Sequence, residues 1–140
     1  STGATYYYGA YGRLTQTIKS PQLTCPTESD KFTSKFSSIG NKALTYPVGL
    51  ITADEVAMAG GLYGSLNESY YLYTNQNYWL GSPYTFDSDN TYANEFFMVT
   101  MGWLHSNRVH NTTPARPVVS LSSKAKLSGS GTYDDVYTVS

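Results

Sequence analysis

Apolar residues in this chain come in short bursts, bounded by Gly, Pro, Asn, Asp and Ser, and only rarely at helical spacing. Such bursts between turn residues predict strands. Residues 5–18, TYYYGAYGRLTQTI, predict a strand-rich opening, because the glycines at 9 and 12 argue against a long helix. SPQLTCPTESD is turn chemistry, punctuated by Pro21 and Pro26. The next stretch, DKFTSKFSSIGNKALTYPVGLIT, supports two readings. Phe32, Phe36 and Ile39 stand at i, i+4 and i+7, and Thr27 with Asp30 makes an imperfect capping box, which fits a short helix. Gly40-Asn41 would equally close a hairpin into the strand ALTYPVGLI.

ITADEVAMAGG is the clearest helix signal. Thr52 and Glu55 have the spacing of a capping box, and Asp54 and Glu55 suit the positive end of the helix dipole. Gly60-Gly61 offers a left-handed stop. Val56, with Ala59 or Met58, is expected to face inward. Residues 62–77 are polar and Tyr-rich, and predict a loop. YWLGSPY, residues 78–84, predicts a buried strand with Trp79 in the core and Ser82-Pro83 at its end. DSDNT is a turn, and YANEFFMVT is a strand with an apolar burst from Phe96 to Val99. Met101-Gly102 breaks it, WLHSNRVHN is the next strand, and ARPVVSL follows. SGSGTYDD predicts a hairpin-like turn and VYTVS a closing strand. No fixed-period repeat appears.

The length, 140 residues, suits one domain spanning 1–140. Nine basic and ten acidic residues leave a net charge of −1, without the electrostatic footprint of a nucleic-acid binder. No charge run suggests contact with a membrane surface, and no apolar run approaches the ~20 residues needed to span one. Charge is scarce at 14%, and 14 Tyr and 12 Gly take its place. That palette suits strands and turns, and it is also the palette of adaptable recognition surfaces. With one cysteine, Cys25, no disulfide forms within the chain. A bacterial or phage surface protein fits that better than a secreted eukaryotic domain. The abrupt opening STGATYYYGAYGR leads us to expect a trimmed or processed chain, from which any membrane anchor or assembly helix would have been lost upstream.

Candidate chemistry gathers in VTMGWLHSNRVHNTTPARPVVSL, residues 99–121, which holds both histidines. On a regular strand Trp103, His105, Asn107 and Val109 share one face, and Leu104, Ser106, Arg108 and His110 the other. His105 and His110 therefore fall on opposite faces, and no neighbours at zinc spacing complete a metal site. The candidate ligand-binding residues are Trp103, His105, Asn107, Arg108, His110 and Asn111, since Trp and Arg are enriched where binding energy concentrates. Trp103 is equally well read as a core anchor. Residues 87–90, DSDN, offer oxygen ligands for calcium but read first as an Asx turn. Cys25 has no nearby His, and no Gly-x-Ser-x-Gly elbow surrounds a serine, so no catalytic residue is expected. Arg116 is expected to pair with a carboxylate or with loop carbonyls. Asn111-Thr112-Thr113 and Asn67-Glu68-Ser69 fit glycosylation sequons, which matter only in a eukaryotic secretory path.

Three stretches in order, TYPVGLITADEVAMAGG, YWLGSPY and MGWLHSNRVHNTTPARPVVSLSSKAKLSGSGTYDDVYTVS, resemble a family of bacterial and phage surface domains. These are C-type lectin-like domains related to the formylglycine-generating-enzyme fold, of the gut Firmicutes type and sometimes pilin-associated. The resemblance covers roughly residues 44–139 and leaves the first 40 residues out. It implies an α+β, C-type lectin-like fold: a twisted, mostly antiparallel sheet with short helices and long loops. The likeness extends to the variable proteins of diversity-generating retroelements, which implies that residues 102–111 form a display surface. Our own reading is that residues 102–117 run as sheet edge and loop, held up by the Arg-Pro-Val-Val strand with their polar groups outward. The sugar-ligating Glu-Pro-Asn and Trp-Asn-Asp motifs of animal lectins are missing. Oxidase members of the fold use a late cysteine pair, and the lone early Cys25 departs from that pattern.

The expectation is thus an exported, non-enzymatic recognition or display domain without a cofactor, extracellular or on a bacterial surface or virion. Its partner would be a cell-surface protein or glycan, or a neighbouring subunit of a pilin-like filament. The alternative is a structural or receptor-binding subunit of a phage tail or filament, without its own small-molecule ligand. A third class, an oxidase-like enzyme, would depend on a metal or a thiol.

Overall fold

In the computed structural model of the protein, the described residues are 4–16, 19–24, 46, 48–119, 121–132 and 134–140. The elements are β1 (Thr5–Tyr7), α1 (Gly9–Thr15), β2 (Val48–Leu50), α2 (Ala53–Met58), β3 (Tyr78–Asp87), β4 (Tyr92–Met98), β5 (Leu104–Arg108), β6 (Pro117–Val119), β7 (Leu127–Ser128) and β8 (Thr138–Val139). All named strands pair antiparallel: β1-β3-β4-β5 in one sheet, and β2-β6 and β7-β8 as two-stranded ladders. Short helices beside mostly antiparallel sheet make the class α+β. No helix among the described residues is long and apolar enough to cross a membrane. Cys25, the alternatives for Phe32, Phe36 and Ile39, the Thr27/Asp30 box and the Gly40-Asn41 turn lie outside the described residues.

One face of the four-stranded sheet carries the core. Tyr78 and Leu80 of β3, Phe96 and Met98 of β4 and Leu104 of β5 point to the same side, at the period of two that strands impose. Ala10 and Leu14 of α1, Ala53, Val56 and Ala57 of α2, and Tyr70 from the long loop close over them. Helices this short do not hold themselves and depend on this packing.

The opening of the chain corrects the strand-rich expectation. Only Thr5–Tyr7 is strand, and Gly9–Thr15 is helix. A glycine in a helix interior costs about 1 kcal/mol relative to alanine. Burial of Leu14, 1% exposed and one turn beyond buried Ala10, contributes about 2 kcal/mol in the other direction. Gly12 weakens this helix without preventing it.

At α2 the local signals are obeyed. The Thr52 hydroxyl accepts the Glu55 N–H at 3.2 Å, and the Glu55 carboxylate accepts the Thr52 N–H at 2.9 Å. At the other end Gly60, at φ +114°, donates to Ala57 and Gly61 donates to Val56, which forms a Schellman stop. Val56 faces inward and Ala59 packs against the core, as expected, whereas Met58 is exposed; Ala57 is buried as well.

β3 does not end at Ser82-Pro83 but runs on to Asp87. Pro83 sits between two register shifts against β4, where its missing N–H breaks no regular ladder. The same irregularity turns the Ser82 hydroxyl onto α2, where it accepts the Ala53 N–H at 2.9 Å. Trp79 is half-buried rather than a core residue, and belongs to the opposite face of the sheet. β6 pairs with β2 rather than with β5, so the Arg-Pro-Val-Val strand does not support the edge it was expected to support. That edge is held instead by the long loop: Leu104 donates to the Leu62 carbonyl, and Tyr63 bridges Leu104.

Candidate functional site

β5 is entered through a turn that requires Gly102. Its φ is +72°, and a Cβ there would stand 1.9 Å from the Asn67 carbonyl oxygen. Past that turn β5 pairs residue by residue with β4: Leu104 with Met98, His105 with Phe97, Ser106 with Phe96, Asn107 with Glu95 and Arg108 with Asn94. Leu104 is fully buried and Ser106 half-buried on the core side, while the His105 ring is exposed on the other.

A row of rings results on the face opposite the core. Trp79 lies 5.9 Å from Phe97, Phe97 lies 5.9 Å from His105 at 82°, and Trp103 lies 5.5 Å from His105. Tyr63 stacks on His105 from the loop at 6.3 Å. Phe97 is the centre of the row and is only 8% exposed, although it belongs to none of the main core packing. Its neighbours Trp79 and Trp103 are half-buried, and the row opens to solvent at His105. The Trp103 Nε1–H is buried and has no hydrogen-bond partner among the described residues. The His105 Nδ1 lies 2.9 Å from the Ser106 carbonyl oxygen, which fixes the ring's orientation.

One row further along, Pro83, Glu95 and Asn107 lie side by side across β3, β4 and β5. Burial pushes the Glu95 carboxyl up to about 7. The Asn107 side chain is used locally: its Oδ1 accepts the Arg108 N–H and the Asn111 side-chain amide.

The structure therefore brings Trp103, His105 and Asn107 onto one face and ties Asn111 to Asn107. Arg108 belongs to the other face, where its guanidinium lies 3.9 Å over the Tyr92 ring. His110 is exposed in the turn beyond β5 and takes no part in the row. The strand ends at Arg108, so the separation of His105 and His110 comes from that turn and not from strand alternation alone. Sequence reasoning missed Glu95, Phe97 and Trp79. The signal was present in the alternation of YANEFFM, where Glu95 and Phe97 oppose Phe96 and Met98.

Other singled-out groups have local roles. The Asp87 carboxylate accepts the N–H groups of Asp89 and Asn90 and the Asn90 side chain, an Asx turn that holds its pKa below the ordinary range. Arg116 donates to the Leu72 carbonyl and lies 4.7 Å over the Tyr78 ring, so a loop carbonyl is its partner. Asn67 bridges the Gly60 carbonyl and the Ser69 N–H. On the core side the Tyr63 and Tyr84 hydroxyls meet at 3.0 Å, and burial followed by that contact pushes the Tyr84 phenol up. Among the described residues no three His, Cys, Asp or Glu side chains gather as a metal site would require.

Compared with known proteins, the chain matches no family model, no curated protein and no solved structure.

Proposed function

We propose that this is an exported, non-enzymatic recognition domain of C-type lectin-like fold, displayed on a bacterial surface filament, adhesin or virion. Its contact surface is the outer sheet face of Trp103, His105 and Asn107, with Asn111 at the rim. The observation that carries this reading is the row of rings Trp79, Phe97 and His105 on the face opposite the core, joined by Trp103. Aromatic area held rigid at an edge and bordered by amide side chains suits a protein or glycan ligand. The short helices against a mostly antiparallel sheet, and the long loops, support the lectin-like comparison.

The test is saturable binding on glycan and protein arrays, repeated with His105→Ala and Trp103→Ala. Unfolding curves check that each variant folds. Binding that both folded variants retain would defeat the assigned face.

A second reading, a filament or phage-tail subunit without its own ligand, is favoured by the exposed apolar side chains towards the C-terminal end. Val119, Leu121, Leu127, Val136, Tyr137 and Val139 are each more than half exposed. Concentration-dependent association abolished by Val136→Ser and Val139→Ser supports it, and a monomer at all concentrations removes it.

A further inference from the structure

Glu95 is the only acidic side chain that β3, β4 and β5 place on the outer face. Across from it stand Pro83 on β3 and Asn107 on β5, and along β4 its same-face neighbours are Ala93 and Phe97. None of these carries a charge. The nearest other ionisable side chain on this face is His105, paired with Phe97 in the adjacent row about 7 Å along the strand. Among the described residues no hydrogen-bond donor or cation reaches the Glu95 carboxylate, and the ion pair found there is Arg13 with Asp54, on the core side. Two arginines of this region are used elsewhere, Arg108 on Tyr92 and Arg116 on the Leu72 carbonyl. A carboxylate held half out of water without a partner is unfavourable in the free domain. Beside it lie a buried phenyl ring and an imidazole whose exposed side faces solvent.

The geometry points to a subsite for a guanidinium: an arginine side chain of a protein partner pairs with Glu95 and stacks on the exposed His105 ring, where the row of rings opens to solvent. This rests on the recognition reading of the outer face and names the chemistry of its partner. A planar, weakly hydrated cation gains from both features at once, a bidentate carboxylate and aromatic surface, whereas a neutral sugar leaves the Glu95 charge without its counter-ion. Arginine binding in turn favours the ionised form of Glu95, so the two equilibria are linked.

The probe is the blocked tripeptide acetyl-Gly-Arg-Gly-amide, compared with acetyl-Gly-Gln-Gly-amide, by NMR titration of the whole chain. The Glu95 carboxyl midpoint, pushed up to about 7 in the free protein, falls with the arginine peptide and stays with the glutamine peptide. Glu95→Gln weakens arginine-peptide binding by about tenfold. A midpoint that does not move, or moves equally with both peptides, overturns the subsite. This measurement needs no variant and so stands even if Glu95→Gln folds poorly. An array ligand lost with His105→Ala but kept with Glu95→Gln also overturns the subsite, while leaving the recognition face in place.

Discussion

The Arg13 guanidinium grips the Asp54 carboxylate through two hydrogen bonds, Nε to Oδ1 at 3.0 Å and Nη2 to Oδ2 at 2.9 Å. This bidentate pair ties α1 to α2 across 41 residues of sequence. The Asp54 side chain is 6% exposed and that of Arg13 15%, so both charges are largely out of water. The Gln22 N–H donates to the same Asp54 oxygen at 2.9 Å and fixes the chain that follows α1. A buried pair adds little over an apolar isostere, but removing one partner strands the other. Asp54→Ala is therefore expected to lose about 3–5 kcal/mol, a large share of a small domain's stability. Urea unfolding measures it, and a loss under about 1 kcal/mol would show that the pair carries no such weight.

The same contact explains why α1 was hard to read and α2 was not. α2 announces itself within eleven residues: the Thr52–Glu55 box, acidic first-turn residues and Gly60-Gly61 all act locally. Yet Asp54, which the sequence suggested as a dipole partner, is occupied by an arginine far away in the chain. α1 has glycines inside it and no local cap, and is held by burial of Ala10 and Leu14 and by Asp54, none of which its own sequence reveals. The site divides in the same way. Trp103, His105 and Asn107 were legible as one face because β5 is regular. Trp79, Glu95 and Phe97 join them only through the register of three strands, and Pro83 disguised the middle of β3 as its end.

Gly102 is expected to tolerate no side chain. A Cβ would meet the Asn67 carbonyl oxygen at 1.9 Å, and the φ of +72° is strained for any L residue. Both the turn into β5 and the loop at Asn67 would have to move. Gly102→Ala should destabilise the domain by at least about 2 kcal/mol. It should also disturb the His105 and Trp103 resonances, since both follow directly from this turn. A variant with an unchanged melting temperature and spectrum would show that the turn relaxes freely.

The start of α2 is satisfied by two hydroxyls with different surroundings, and their deletions should differ. The Thr52 hydroxyl caps the exposed Glu55 N–H, which water replaces in its absence, so Thr52→Ala should cost about 1 kcal/mol. The Ser82 hydroxyl receives the N–H of Ala53, which is fully buried. Ser82→Ala leaves that donor without an acceptor and should cost more, about 1–3 kcal/mol. Denaturant unfolding of the two single variants tests the order, and Thr52→Ala being the more damaging would reverse the argument.

Glu95 gives the domain a pH dependence whose sign is fixed by the direction of its shift. Its carboxyl is ordinarily near 4.5 and burial raises it to about 7 in the folded chain. An acid whose folded pKa is raised binds its proton more tightly when folded, so folding is favoured while that proton stays on. The contribution is complete below the ordinary value, and it is lost as the pH rises through about 7, where the buried group must ionise. Glutamine mimics the protonated acid at every pH. Glu95→Gln should therefore match the parent chain at about pH 4.5 and melt at a higher temperature than the parent at about pH 8.5. Calorimetric melting at the two pH values decides it, and a Glu95→Gln gain that is equal at both would mean that burial of this carboxylate is not what sets the difference.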